Sequence, residues 1–224
     1  PGPLEHFLPA GLENDEIINL IPLTKLKDLS LGLISTDGKF KRVAISEIID
    51  ISNRSTTILK LKENIKLKSC LLCEENSYLY IITDIGRIFK IKITEELFPY
   101  MGKLAQGSSI MKLFPGEKIV EALNTKENQV KDLVLITNKG SFIKHKSNEI
   151  RTSNKGELGT MVMHLKDNKH TKDRVTNCFI NNKHIYIKTD KKRYIKLETN
   201  LINSFSYQKE KKLNIELNNN EFIE

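Results

Sequence analysis

Apolar residues along this chain come in short runs broken by polar turns, and within the runs they alternate. Four stretches show the pattern: Leu33-Ile-Ser-Thr-Asp-Gly-Lys-Phe-Lys-Arg42, Ile81-Ile-Thr-Asp-Ile-Gly-Arg-Ile-Phe-Lys90, Leu135-Ile-Thr-Asn-Lys-Gly-Ser-Phe-Ile-Lys144 and Ile187-Lys-Thr-Asp-Lys-Lys-Arg-Tyr-Ile-Lys196. Each predicts a strand, a tight turn and a second strand, on a period of two and not the longer period of a helix. Gly38, Gly86 and Gly140 supply the positive φ that such hairpin turns demand. In the fourth stretch Lys192 stands where glycine would, so that turn is expected to differ.

The turn positions 38, 86, 140 and 192 lie 48, 54 and 52 residues apart. Two further elements keep step with them. Asp15-Glu-Ile-Ile-Asn-Leu20, Ile65-Lys-Leu-Lys-Ser-Cys70, Glu117-Lys-Ile-Val-Glu-Ala122 and Asp173-Arg-Val-Thr-Asn-Cys178 follow one another at 50, 52 and 56 residues. Ile58-Leu-Lys-Leu61, Ile110-Met-Lys-Leu113, Val162-Met-His-Leu165 and Asn214-Ile-Glu-Leu217 close each unit. A unit therefore carries about four short strands, too few to bury its own faces without neighbours. The expected fold class is all-β: a four-repeat β-propeller-like ring or open spiral. One repeat domain is expected over residues 6–224, with units at about 6–61, 62–113, 114–165 and 166–217. Pro1-Gly-Pro-Leu-Glu5 reads as a cloning remnant. Asn218-Asn-Asn-Glu-Phe-Ile-Glu224 reads either as a stub of a further unit or as a strand that closes a ring.

Composition adds little to this and excludes more. No apolar run approaches the roughly 18 residues of a membrane helix, and no membrane partner is expected. Cys70, Cys73 and Cys178 are too few and too scattered for a disulfide framework or a zinc site. Cys70 and Cys178 share a column with Leu20 and Ala122, which asks for a small or apolar core residue, and a reducing cytoplasm is the expected location. His6, His145, His164, His170 and His184 show no ligand spacing, and no glycine-rich phosphate loop or nucleophile elbow is present. Glu47, Glu95 and Glu149 recur nine residues past the turn, as turn caps or partners of basic residues. No catalytic group, metal or cofactor is expected.

The net charge is +8 at pH 7, and it is patterned. Four residues past each turn position stand Arg42, Lys90, Lys144 and Lys196; six past stand Ala44, Lys92, Lys146 and Glu198. Between them come mostly apolar residues, among them Val43, Phe89, Ile91, Ile143, Ile195 and Leu197. Strand alternation then predicts one packed and one cationic face in every unit. Lys39, Arg87 and Arg193 add charge at the hairpin tips. Such lysines also serve solubility and discourage edge pairing. A cationic column repeated from unit to unit makes, beyond that, the stripe that tracking a phosphate backbone requires. Phe40, Phe142 and Tyr194 share the parity of the basic set and are expected to cap a neighbouring blade. The glycine-bearing loops at 98–108 and 150–160 are expected to move relative to the strands and to bring Lys103, Arg151 and Lys155 to DNA.

Aligned on these units, the pattern resembles the C-terminal domain of the A subunit of the bacterial type IIA topoisomerases, gyrase and topoisomerase IV, from about Asp15 to Leu217. The shared unit runs apolar strand, Thr-x-x-Gly, basic strand, Ser/Thr/Asn-Glu, glycine-containing loop, apolar-Lys-Leu, Gly-Glu-Lys-Ile-Val. Thr83-Asp-Ile-Gly-Arg-Ile-Phe-Lys90 leading to Gly107-Ser-Ser-Ile-Met-Lys-Leu-Phe-Pro-Gly-Glu-Lys-Ile-Val120 carries it best, with Thr137-Asn-Lys-Gly-Ser-Phe-Ile-Lys144 leading to Gly159. The resemblance implies a β-pinwheel, a propeller variant whose blades share strands, that bends duplex DNA around a positively charged rim. It implies a non-catalytic module of an ATP-dependent enzyme that relaxes, decatenates or supercoils DNA. The implied partners are double-stranded DNA, held through its phosphates with little sequence preference, the remainder of the A subunit, and the B subunit.

Gyrase A subunits carry Gln-Arg-Arg-Gly-Gly-Lys-Gly in one blade loop. The nearest stretch here, Ser153-Asn-Lys-Gly-Glu-Leu-Gly159, keeps one basic residue and two glycines in register, which favours a topoisomerase IV-like subunit over a gyrase subunit with a decayed box. A protein-interaction propeller without DNA binding is the alternative, and it predicts apolar or mixed-charge patches in place of a cationic stripe. An enzyme would need polar groups converging in one place.

Overall fold

The computed structural model describes residues 16–22, 29–49, 55–165, 172–181, 184–198, 206–213 and 215–224. Residues 1–5, Asp15, the unit boundary at 166 and Asn214 lie outside these. The described residues are all-β, with one single-turn 3-10 helix, Ile45–Glu47, and no α-helix. The strands are β1 (Leu29–Ser35), β2 (Lys39–Ala44), β3 (Leu67–Glu74), β4 (Tyr78–Thr83), β5 (Arg87–Lys92), β6 (Ser108–Ser109) and β7 (Ile119–Thr125). They continue with β8 (Asp132–Thr137), β9 (Ser141–Lys146), β10 (Thr160–Met161), β11 (Val175–Ile180), β12 (His184–Lys188), β13 (Tyr194–Glu198) and β14 (Lys211–Lys212).

The four predicted hairpins are β1–β2, β4–β5, β8–β9 and β12–β13, all antiparallel. Their turns share one geometry. The fourth residue donates its N–H to the carbonyl of the first: Gly38 to Ser35 at 3.0 Å, Gly86 to Thr83 at 3.1 Å, Gly140 to Thr137 at 2.9 Å and Lys192 to Thr189 at 2.8 Å. The φ angles of these four are 78°, 86°, 77° and 58°. The fourth turn therefore does not differ, contrary to its sequence: Lys192 takes the left-handed conformation, which an unbranched side chain tolerates at about 1 kcal/mol. Gly86 has no such latitude, because a Cβ there would sit 2.3 Å from the Met163 carbonyl oxygen.

Strand order shows how the hairpins are completed. The sheets run β3-β1-β2-β6, β10-β5-β4-β7 and β11-β8-β9-β14, with β12-β13 as a fourth. Each of the first three takes its central hairpin from one sequence period and both flanking strands from the next. Consequently β3 and β4 are neighbours in the chain and members of different sheets. The arriving strand is held by the turn it meets. Leu67, Ile119 and Val175 pair with Ser35, Thr83 and Thr137, and Ile223 of the chain's last segment pairs with Thr189 in the same way. Residues 218–224 thus occupy on the fourth hairpin the place where β7 begins on the second.

The sheets stack in chain order, and the core lies between them. Ile34, Phe40 and Cys73 meet Leu79, Ile81 and Phe89; Tyr80, Ile82 and Ile88 meet Leu133, Leu135 and Ile143; Val134, Ile136 and Phe142 meet Ile185, Ile187 and Leu197. Alternation along each strand sends successive residues to opposite interfaces, so the first three sheets are buried on both faces. No described strand of the fourth sheet pairs with the first, and the arrangement is open. The cysteines are packing residues: Cys73 and Cys178 are buried and Cys70 half-buried. Burial pushes the thiols of Cys70 and Cys73 up, to about 11 and about 12. Leu20, the first member of the column that holds Cys70 and Cys178, is exposed.

Candidate nucleic-acid interface

Face-to-face stacking changes the meaning of the basic column. Arg42 is 1% exposed, Lys144 2% and Lys90 6%. The expectation of a solvent-facing cationic strand face is corrected here, because the next sheet and its loops cover that face. Lys90 Nζ donates to the carbonyls of Ser147 at 3.0 Å and Ile150 at 3.2 Å, and sits 4.6 Å from the centre of the Tyr78 ring. Arg42 donates to the Phe98 carbonyl at 3.2 Å and to Glu75 at 3.0 Å, lies 3.8 Å from Glu95, and stacks over Tyr100. Lys144 Nζ lies 4.3 Å from the centre of the Tyr207 ring. Desolvation lowers the pKa of Lys90, and carbonyl oxygens and ring faces replace water around its charge. A phosphate would have to displace all of these contacts. Lys196 alone in the column is exposed.

The hairpin-tip arginines are clamps between sequence periods. Arg87 Nε donates to Glu117 Oε1 at 2.8 Å, and its guanidinium also meets the carbonyls of Lys112 and Leu158. Arg193 repeats this with Glu221, at 3.0 Å and 2.7 Å, and with the carbonyl of Glu216. The remaining predicted contacts are engaged to differing degrees. Lys39 is paired with Asp37, Lys92 with Glu127 and Arg151 with Glu157. Lys146 lies over Tyr207 and Lys155 over Phe98. Lys103 is half-buried, and its carbonyl accepts from Lys41. The loops that carry these residues are hydrogen-bonded to the preceding sheets: Met101 N–H to the Arg42 carbonyl at 2.9 Å, Ser153 N–H to that of Lys90 at 2.7 Å.

A second basic column does reach solvent. Lys66, Lys118 and Arg174 stand immediately before β3, β7 and β11, strands that pack beside one another in succession. Each is fixed by a two-bond clamp to a hairpin turn. Their N–H groups donate to Thr36 Oγ1 at 3.1 Å, Asp84 Oδ1 at 2.9 Å and Asn138 Oδ1 at 2.9 Å. Their carbonyls accept the N–H groups of the same three turn residues, each at 2.9 Å. Asp84 also accepts the Val175 N–H at its carbonyl, at 2.9 Å, which brings the second turn against the start of β11. Lys66 and Lys118 are exposed and Arg174 is half-buried. Sequence reasoning did not select these three. Their signal was present in three of the four copies: the second residue of the recurring element is Lys66, Lys118 and Arg174, against Glu16 in the first, and Phe222 takes the position on the fourth hairpin.

Among the described residues no cluster of three or more histidine, cysteine or acidic side chains could hold a metal, and no helix is long and apolar enough to cross a membrane.

Comparison with known proteins bears on the same interleaved sheets. None of the curated proteins matches the chain. Among solved structures it is similar to the C-terminal domain of DNA topoisomerase IV, at 19% identity and a TM-score of 0.74, covering 87% of this chain and 59% of that one. It is similar to the DNA gyrase A C-terminal domain at 19% identity and a TM-score of 0.56, covering 72% and 51%. A third is the E. coli ParC C-terminal domain, at 14% identity and a TM-score of 0.54, covering 76% and 69%. The chain thus spans less than two thirds of the first two, and at these identities the likeness is one of fold. The family described as DNA gyrase C-terminal domain, beta-propeller, matches over residues 33–74, 77–126 and 131–182. These spans cover most of the chain, containing the hairpins β4–β5 and β8–β9 whole and β2 with the end of β1: the protein belongs to the family of DNA gyrase C-terminal domains.

Proposed function

We propose that this chain is a non-catalytic module that binds and bends duplex DNA through the phosphate backbone, as part of a type IIA topoisomerase A subunit. The observation that carries the reading is the column Lys66, Lys118 and Arg174: basic residues whose main chain is held by the same clamp at the starts of three neighbouring strands. A row anchored in this way meets phosphates at intervals set by the stack of sheets and reads no bases. Lys196 and the turn lysines Lys191 and Lys192, all exposed, extend the positive surface onto the fourth hairpin. The second, third and fourth sequence units each hand strands to the hairpin before them, and this is the device that repeats the cation. The absent Gln-Arg-Arg-Gly-Gly-Lys-Gly box supports a topoisomerase IV-like parent acting on chromosomal DNA in the cytoplasm with its B subunit.

The test is a mobility shift on random-sequence duplex over a salt series. Affinity falling steeply between about 50 and 200 mM salt supports backbone binding. Absent or salt-insensitive binding points to a protein-interaction scaffold.

A further inference from the structure

The charge at one recurring place changes from hairpin to hairpin. On the second and fourth, the residue after the turn is an arginine paired with a glutamate of the arriving segment: Arg87 with Glu117, Arg193 with Glu221. A carbonyl of the closing element, that of Lys112 or Glu216, takes a further guanidinium N–H. These two tips are neutralised from within. On the third hairpin the same two places hold Ser141 and Asp173. On the first they hold Lys39 and Ile65, so the cation is kept and the carboxylate that would answer it is gone.

More positive charge gathers at that first tip. Lys39, Lys60, Lys62 and Gln106 line one depression with Asp37 and Ile65. Against three lysines stands one acid, Asp37, 3.4 Å from Lys39 and also accepting from the Ser35 hydroxyl. Lys60 and Lys62 are exposed. They come from the segment that leads into β3, and Gln106 from the loop that leads into β6, the two strands that complete this hairpin. The depression therefore belongs to a finished sheet. Its walls are anchored: Ile65 N–H donates to the Lys62 carbonyl at 3.1 Å, and Thr36 N–H to that of Lys66 at 2.9 Å. Beside Gln106, Gly107 lies so close to β2 that a Cβ would sit 2.7 Å from the Phe40 carbonyl oxygen. Ammonium groups held together in this way repel one another until an anion joins them. Lysine meets phosphate as a point charge, and the Gln106 amide adds a donor.

We infer, on the DNA-binding reading above, that this depression is a phosphate-binding site which takes one backbone phosphate of a bound duplex. The duplex is held at the first sheet by several side chains converging on one phosphate, and passes the second and third hairpins on the single cations Lys118 and Arg174. The clamped tips take no phosphate, because a carboxylate already answers each guanidinium. The grip is thus graded along the chain, an asymmetry that repetition of the units alone would not produce.

A random-sequence duplex and inorganic triphosphate are the two probes, each added to the 224-residue protein. The variants are Lys60→Ala/Lys62→Ala and, separately, Ile65→Glu, which installs the carboxylate of the clamped tips. Circular dichroism checks the fold of both; should Ile65→Glu unfold, the lysine pair decides alone. Each variant is expected to lower the slope of log K against log salt for the duplex by about one, and the affinity at about 0.1 M salt by about tenfold. Triphosphate should shift the Gln106 side-chain amide resonances saturably in the unaltered protein and leave them in place in either variant. If the duplex binds the variants as it binds the unaltered protein, the site is overturned while the DNA-binding reading stands. If no duplex binds and triphosphate still shifts Gln106, the site stands for a free phosphate compound and the DNA-binding reading falls. Triphosphate shifts spread over the lysines of the molecule with none at Gln106 overturn the site.

Discussion

Arg87 and Glu117 form an ion pair in which the two side chains keep 3% and 1% of their surface. One belongs to the second hairpin, the other to the segment that delivers β7, so the pair ties one sequence period to the next. Burial alone would raise the Glu117 carboxyl, but the Arg87 guanidinium and further hydrogen bonds, among them that from the Phe114 N–H, together outweigh it and hold the group below the usual carboxylate range. Removing one partner strands the other. Glu117→Gln is expected to cost about 3 kcal/mol in urea unfolding, because a buried guanidinium then lacks its counter-charge. Lys92→Ala breaks a pair with Glu127 at the surface, where water screens it, and should cost far less.

The homologous pair at the end of the chain is tuned for acid. Glu221 accepts from Arg193 and Thr189 and from the Asn218 N–H, which depresses its carboxyl to about 2. A depressed carboxylate contributes stability above its ordinary pKa and loses it as pH falls through the folded value. The contact of residues 218–224 with β12 should therefore persist down to about pH 4.5 and weaken between there and about 2. The Ile223 methyl resonances, followed by NMR across that range, should shift toward random-coil positions. Glu221→Gln should show the released spectrum at neutral pH.

Lys192 holds φ at 58° where the other three turns use glycine. Lys192→Gly is expected to raise stability by about 1 kcal/mol, since glycine meets no steric penalty there. Gly86→Ala should do the reverse and more, its Cβ colliding with the Met163 carbonyl. Thermal unfolding of the two variants decides the sign in each case.

Much of the fold was legible because period-two alternation and the Thr-x-x-Gly turns recur: the hairpins lie where Leu33–Arg42 and its three copies put them. The strand sharing could not be read from the periodicity, because β3 and β4 are separated by only Glu75, Asn76 and Ser77, and nothing local says that they enter different sheets. The misreading of Arg42, Lys90 and Lys144 followed from that. A basic residue alternating with apolar ones implies a wet face only if the sheet has one, and here loops from the next period supply Phe98, Ser147, Ile150 and Tyr207 as partners. Lys66, Lys118 and Arg174 were overlooked for the complementary reason: they precede strands and so fall outside any alternation.

Because the two basic columns differ in burial, they separate structure from binding. Lys90→Ala leaves the Ser147 and Ile150 carbonyls without their donor and is expected to cost about 2 kcal/mol. It should leave the salt dependence of DNA binding as it was. Lys66→Ala and Lys118→Ala remove exposed charge and should shift stability by no more than about 0.5 kcal/mol.

The decisive measurement is the slope of log K against log salt for a random-sequence duplex, taken for the unaltered chain, for Lys66→Ala/Lys118→Ala and for Lys90→Ala. Each phosphate engaged contributes about 0.9 to that slope, so the double variant should lose roughly two while Lys90→Ala keeps the full value. The account is contradicted if Lys66→Ala/Lys118→Ala binds with an unchanged slope, or if folded Lys90→Ala loses its salt dependence.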